Sequence, residues 1–134
     1  MERTTFLFSL GLLLLVCSAA AAQETDKITV ERIAICTAVV DREPQGEGTE
    51  FDAAVETLCC FTTLNGPAGK VTHVWYHGDK ERAKITLTKG KAGRWRTHST
   101  KKMAPEWQGQ WRVDVLDENG NVLKSAAFTY GKKE

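Results

Sequence analysis

The sequence has 134 residues, with 18 Lys and Arg against 17 Asp and Glu, a net charge of +1. That near-neutral balance argues against a nucleic-acid partner, which would call for a clear basic excess. No repeat or low-complexity tract is visible, and the length suits one domain with a two-layer core.

The chain opens on a polar tip, Met1 to Thr5, followed by an apolar run from Phe6 to Val16 and alanines from Ala19 to Ala22. Ala20 and Ala22 match the small-residue pattern of signal peptidase cleavage before Gln23. The apolar run is shorter than the roughly 20 residues that span a bilayer. Residues 1–22 are therefore expected to be a signal peptide and residues 23–134 a single exported domain, periplasmic or extracellular, with no transmembrane segment. The alternative is a membrane tether through an uncleaved N-terminus. Acylation at Cys17 is disfavoured by Val16, where a small side chain is needed.

Export places the chain where disulfides persist. Beyond the leader stand Cys36, Cys59 and Cys60, an odd number. The expected arrangement is one bridge and one spare thiol, with Cys36–Cys60 preferred and Cys36–Cys59 behind it. A loop of that length contributes roughly 3–4 kcal/mol on the chain-entropy account. A vicinal Cys59–Cys60 bridge would strain its ring. The competing reading is three small buried apolar side chains with no bridge.

Ile28 to Val40 is the first predicted strand. It is apolar on both parities, so it is covered on both faces or changes sheets midway. Pro44, Gly46 and Gly48 mark a loop. Phe51 to Glu56 reads as a helical turn or irregular chain. Leu58 to Leu64 is the second strand, ended by Asn65-Gly66-Pro67. In the third, Val71 to His77, residues Val71, His73, Trp75 and His77 share a face. After a turn at Gly78-Asp79, the fourth strand points Ala83, Ile85 and Leu87 inward and Arg82, Lys84 and Thr86 outward. The fifth, Arg94 to Ser99, sets Arg94, Arg96 and His98 opposite Trp95 and Thr97. Pro105 blocks a strand locally. Trp111, Val113 and Val115 alternate with polar neighbours on the sixth. Asn119-Gly120 predicts a tight primed hairpin turn leading to the seventh, Val122 to Tyr130. About seven short strands at this spacing predict an all-β, antiparallel, immunoglobulin-like sandwich. Trp75 follows Cys60 at about the distance that separates the first cysteine and core tryptophan of immunoglobulin domains, although the second cysteine of that pattern is missing.

Several motifs occur in series: Cys36; Cys60-Phe61-Thr62; His73-Val74-Trp75-Tyr76; Arg94-Trp95-Arg96-Thr97; Gly109-Gln110-Trp111-Arg112-Val113-Asp114-Val115; then Asp117, Gly120 and Leu123. The series resembles the bacterial family called domain of unknown function 2914, from about Ile33 to Tyr130. The resemblance implies an envelope or extracytoplasmic domain with no assigned catalytic residues. His98 and Cys59 depart from the family pattern, which would make Cys59 the unpaired thiol.

Charge is uneven along the chain. Gln23 to Asn65 holds three basic and nine acidic residues, and Gly66 to Glu134 holds fourteen basic and seven acidic. On a hairpin, Arg82, Lys84, Arg94, Arg96 and His98 would share a cationic face suited to an anionic envelope surface or glycan, or to an envelope protein. The competing reading is a solvated face neutralised by the acidic half of the molecule. Trp75 and Trp111 fall in phase with the core, while Trp107 lies in a loop and is the candidate for stacking on sugars. His73 and His77 are about 13 Å apart along a regular strand. One metal ion, with ligands about 2 Å away, cannot take both. No nucleophile elbow or paired-carboxylate cleft is visible. The expectation is a non-enzymatic binding module that uses Arg82, Lys84, Arg94, Arg96 and Trp107, without cofactor or metal. A carbohydrate-binding module is the alternative.

Overall fold

A computed structural model of the protein describes residues 26–131. The expected leader, its cleavage site and Cys17 lie outside the described residues. The strands are β1 Thr29–Cys36, β2 Ala38–Val40, β3 Glu43–Gln45, β4 Glu50–Phe51, β5 Thr57–Asn65, β6 Gly69–His77, β7 Lys80–Lys89, β8 Trp95–Lys102, β9 Gly109–Leu116 and β10 Val122–Tyr130. Among the described residues no helix is long and apolar enough to cross a membrane. Pro105–Trp107 forms a single 3-10 turn.

One sheet has the order β1-β5-β8 and the other β4-β10-β9-β6-β7, with β2 and β3 forming a separate two-stranded ribbon. All pairings are antiparallel except β10 with β4. The seven long strands are the predicted seven, and they stack as an immunoglobulin-like sandwich.

Alternation along the strands explains the stacking. Ile35, Leu58 and Cys60 from one sheet meet Trp75, Trp111, Val113 and Phe128 from the other, all buried in one cluster. Phe128 anchors it, with Trp75 edge-on at 6.1 Å and Trp111 stacked at 6.0 Å. The β6–β7 hairpin turns through Gly78 at φ +61°, the first central position where a type II′ turn takes glycine.

Within the apolar run from Ile28 to Val40, Ala34, Ile35 and Cys36 are buried on both faces, while Val40 is exposed. The run breaks at Thr37, and its continuation folds back with β3 as the ribbon. Ala34, Cys36, Cys59 and Phe61 form a second small cluster with Val39 of the ribbon against it. The register puts these four on the face of β1 and β5 opposite to Ile35 and Cys60. The three-stranded sheet therefore has a core on each side.

Candidate functional site

The register of β1, β5 and β8 lays out the outer face of the three-stranded sheet in rows. Arg32, Thr63 and Arg96 make one row; Ala34, Phe61 and His98 the next; Cys36, Cys59 and Thr100 the third. The ribbon lies over them. Its Glu43 pairs with Arg96 and stands 3.9 Å from Arg32, whose other nitrogen donates to Glu47 at 2.7 Å. The Arg32 guanidinium lies 5.6 Å from the Phe61 ring centroid.

The ribbon turns through Asp41 at φ +53° and Arg42 at φ +64°. They sit between the paired residues Val40 and Glu43, so both central positions of a two-residue hairpin loop are left-handed. This is the backbone of a primed turn, normally filled by Asn-Gly, and non-glycine residues there hold strain. Arg42 has no ion-pair partner among the described residues. With Val39, Phe61, Arg96, Thr97 and His98 it lines a cleft of about 340 Å³, cationic at the rim and aromatic at the floor.

The predicted cationic face is not one face. β7 and β8 are consecutive, but they are edge strands of different sheets and not a hairpin. Arg96 lies on the outer side of the three-stranded sheet. Lys84 alternates with the inward Ala83 and Ile85, and so lies on the far side of the five-stranded sheet. Arg94 precedes β8 and pairs with Glu31 at 3.4 Å. Arg82 occupies a bulge in β7 opposite Trp75 and Tyr76. Its guanidinium is 5.4 Å from the Trp107 ring centroid, where Lys101 Nζ also stands at 4.6 Å. The Trp107 carbonyl accepts a hydrogen bond from Trp111 Nε1 at 2.8 Å. Trp107 is therefore half-buried under cations. Sequence reasoning found Arg96 and His98 but missed Val39, Arg42 and Phe61. The aromatic Phe61 on the parity opposite to Leu58 and Leu64 was the available signal.

The preferred disulfide is also corrected. All three described cysteines are free and buried. Cys36 and Cys59 are direct cross-strand partners, and Cys60 points to the other face among the core residues. The Cys36 thiol is pushed up, first by its hydrogen bond to Cys59 and then by burial. The same hydrogen bond holds Cys59 below the usual thiol range, while burial pushes Cys60 up.

The two histidines share a face but serve the fold. His73 is fully buried, with Nδ1 2.7 Å from Ser99 Oγ and Nε2 3.4 Å from Thr62 Oγ1. Trp75 Nε1 donates to Ser99 Oγ at 3.1 Å, and Thr62 Oγ1 donates to the Thr97 carbonyl at 3.3 Å. Every donor finds an acceptor if Ser99 donates to Nδ1 and a neutral His73 donates from Nε2. Burial, helped by the charge of His98, lowers the His73 pKa to about 4. His77 stacks on Trp111 at 4.8 Å. Among the described residues no three His, Cys, Asp or Glu side chains gather to hold a metal ion.

The profile of a family described as "Protein of unknown function (DUF2914)" matches residues 68–130. That segment of the chain carries the domain of this family. The match is shorter than the motif series implied. Within the domain of unknown function 2914 it takes in β6 to β10, hence Arg96, Thr97 and His98; Val39, Arg42 and Phe61 precede it. No curated protein matches the chain. Among solved structures, the chain is similar to a β-glucosidase from Listeria innocua in complex with glucose, 14% identical, covering 80% of this chain and 16% of that one, with a TM-score of 0.45. A GH3 β-glucosidase from Bifidobacterium adolescentis is 11% identical, covering 78% of this chain and 17% of that one, with a TM-score of 0.46. The chain thus spans about one sixth of the length of these enzymes.

Proposed function

We propose that this protein is an exported, non-enzymatic binding module, and that its contact site is the cleft between the ribbon and β8. It takes an anionic group carried by an envelope glycan or an envelope protein. The observation that carries this reading is the strained turn. Two non-glycine residues held left-handed cost free energy, and such strain persists where the surrounding structure enforces it and concentrates at ligand-binding sites. Here it holds the unpaired guanidinium of Arg42 at the mouth of a cleft whose floor is Phe61 and whose rim is Arg96 and His98. A planar guanidinium is suited to bidentate pairing with carboxylate or phosphate. Most other cations on this side are already neutralised. Arg32, Arg94 and Arg96 pair with Glu43, Glu47 and Glu31. The acidic N-terminal half thus balances the basic half, and a diffuse cationic face is not what remains.

The carbohydrate-binding alternative relied on Trp107 as an open platform, and its ring already carries Arg82 and Lys101.

The test is recovery of partners from envelope extracts by the parent, by Arg42→Glu, and by Lys124→Glu on β10 of the other sheet. The expected result is recovery at least about tenfold lower for Arg42→Glu, the loss of one hot-spot contact, with Lys124→Glu unchanged. Equal recovery by all three would remove the cleft as the contact site.

A further inference from the structure

We propose that Cys36 and Cys59 are a disulfide-forming pair whose bond closes the chain loop that carries the ribbon over Phe61, while Cys60 remains a thiol in the core. The two residues are direct partners in the antiparallel ladder of β1 and β5. Directly opposed residues in such a ladder have Cα atoms about 4.5–5.5 Å apart. That lies inside the roughly 4.4–6.8 Å window in which a disulfide forms without moving the backbone. The side chains project to the same outer face, and Cys36 Sγ lies 3.8 Å from the Cys59 carbonyl oxygen. Cys60 faces the other way, opposite Ile35 and among the residues around Trp75. Bridging it to Cys36 would require turning one strand over. A Cys59–Cys60 bond would join residues that point to opposite sides of β5.

Position gives the bond a consequence. Cys36 ends β1, one residue before the ribbon begins, and Cys59 lies within β5. The segment between them holds β2, β3 and β4, including the turn at Asp41 and Arg42. A link at its base limits how far the ribbon can lift from the sheet.

The oxidant is a disulfide donor of the exchange class, such as oxidised glutathione or an oxidised dithiol protein. The Cys59 thiolate attacks one donor sulfur, and the donor's other sulfur leaves as a thiolate. Cys36 then gives up its proton and attacks the Cys59 sulfur of the mixed disulfide, releasing the second donor thiol. The protein's two thiols are oxidised to one disulfide, the donor disulfide is reduced to two thiols, and both protons end on the donor. Cys59 leads because the neighbouring Cys36 thiol holds it below the usual thiol range, which favours its thiolate. Both sulfurs lie under the ribbon, with Cys36 0% and Cys59 4% exposed. Exchange is accordingly fast while the chain folds and slow once the ribbon has docked.

The experiment refolds the reduced full-length protein in glutathione buffer at an oxidising ratio, traps free thiols by alkylation, and maps the linkage by mass spectrometry. Cys59 and Cys60 fall in one tryptic peptide, so Cys60→Ala and Cys59→Ala are treated alongside. The parent and Cys60→Ala are expected to form one intramolecular bond to Cys36, and Cys59→Ala none. Reduction should lower the melting temperature of both bonded proteins by on the order of 10 °C. It should also speed tryptic cleavage after Arg42. A Cys36–Cys60 link, or alkylation of all four thiols, Cys17 included, in a parent whose melt shows it folded, would overturn the proposal. Equal cleavage after Arg42 in the oxidised and reduced parent would overturn the ribbon's part in it.

Discussion

Between the two sheets, His73, Ser99, Trp75 and Thr62 form a buried polar chain in which every donor meets an acceptor and no group is charged. Outside the three-stranded sheet, Arg32, Arg96, Glu43 and Glu47 pair at the surface, two residues are held in left-handed backbone, and one guanidinium is unpaired. The inner layer is built for a single arrangement, since a buried polar group without its partner costs about 1–3 kcal/mol. The outer layer keeps strain and an open charge, which rigid packing alone does not require. A polar residue in this fold is thus read by whether its bonds are complete.

The largest expected effects test whether the two layers differ in rigidity. Trp75 and Phe61 are both buried, at 0% and 1% exposure. Trp75→Ala should cost about 4–5 kcal/mol, because both sheets pack on it and Ser99 loses its donor. Phe61→Ala should cost less, about 3 kcal/mol, because a three-residue-per-strand ribbon can settle into the space more easily than a sheet can. Urea unfolding of both variants measures the gap. Equal costs would mean that the ribbon is as fixed as the core and would break the comparison.

The next effect belongs to the inner layer alone. The folded pKa of His73 is about 4, against an ordinary 6.5 in the unfolded chain. The folded state holds the imidazole neutral while the unfolded state takes up a proton below pH 6.5. Its contribution is therefore fully present above pH 6.5 and is lost as pH falls from 6.5 to 4, by about 3 kcal/mol in total. Unfolding of the parent and of His73→Gln across that range should show the parent losing about that much more. Parallel curves would mean that His73 is protonated in the fold, and the neutral network would be wrong.

Parity along single strands was legible, and relations between strands were not. Alternation placed Trp75 and Trp111 in the core and set Arg96 and His98 opposite Trp95 and Thr97, as the structure has them. It could not tell that β7 and β8 belong to different sheets, because the turn-rich segment between them reads like any hairpin loop. There Lys89 buries its ammonium against the carbonyls of Gly66 and Lys91, at 2.8 and 2.5 Å, while the chain crosses over. Cys59 and Cys60 show the same limit. Adjacent residues on a strand must face opposite ways, but which one meets Cys36 depends on the register, and a slip of one residue reverses the answer.

Turn chemistry misled in an instructive direction. Asn119-Gly120 forms a hairpin, but not the two-residue primed turn. The Gly120 N–H donates to the Asp117 carbonyl at 3.0 Å, Gly120 takes φ +88°, and Asp117 Oδ1 accepts from the amides of Asn119 and Asn121, both at 2.9 Å. That is a three-residue loop, a type I turn closed by a left-handed glycine. The Asp117 carboxylate, by collecting these amides, selected the wider loop. The turn with both central residues left-handed appears instead at Asp41-Arg42, where no glycine announces it and only the pairing of Val40 with Glu43 imposes it.

That contrast sets the smallest and sharpest test of the outer layer. Arg42→Gly removes the steric penalty of a side chain at φ +64° and adds backbone entropy to the unfolded chain. The first effect is of order 1–3 kcal/mol and the second about 0.5–1 kcal/mol in the other direction. The variant should therefore be more stable than the parent by about 1 kcal/mol, near the middle of the roughly 0–2.5 kcal/mol that these two effects span, since no ion pair is lost with the guanidinium. If the cleft is the contact site, the same change should lower partner recovery, so that stability rises while binding falls. A glycine that stabilises and leaves recovery intact would make the turn a structural accident of the ribbon. A glycine that destabilises would mean that Arg42 holds the ribbon down through its side chain. Only opposed changes in the two measurements fit a residue kept in strain for the sake of the cleft.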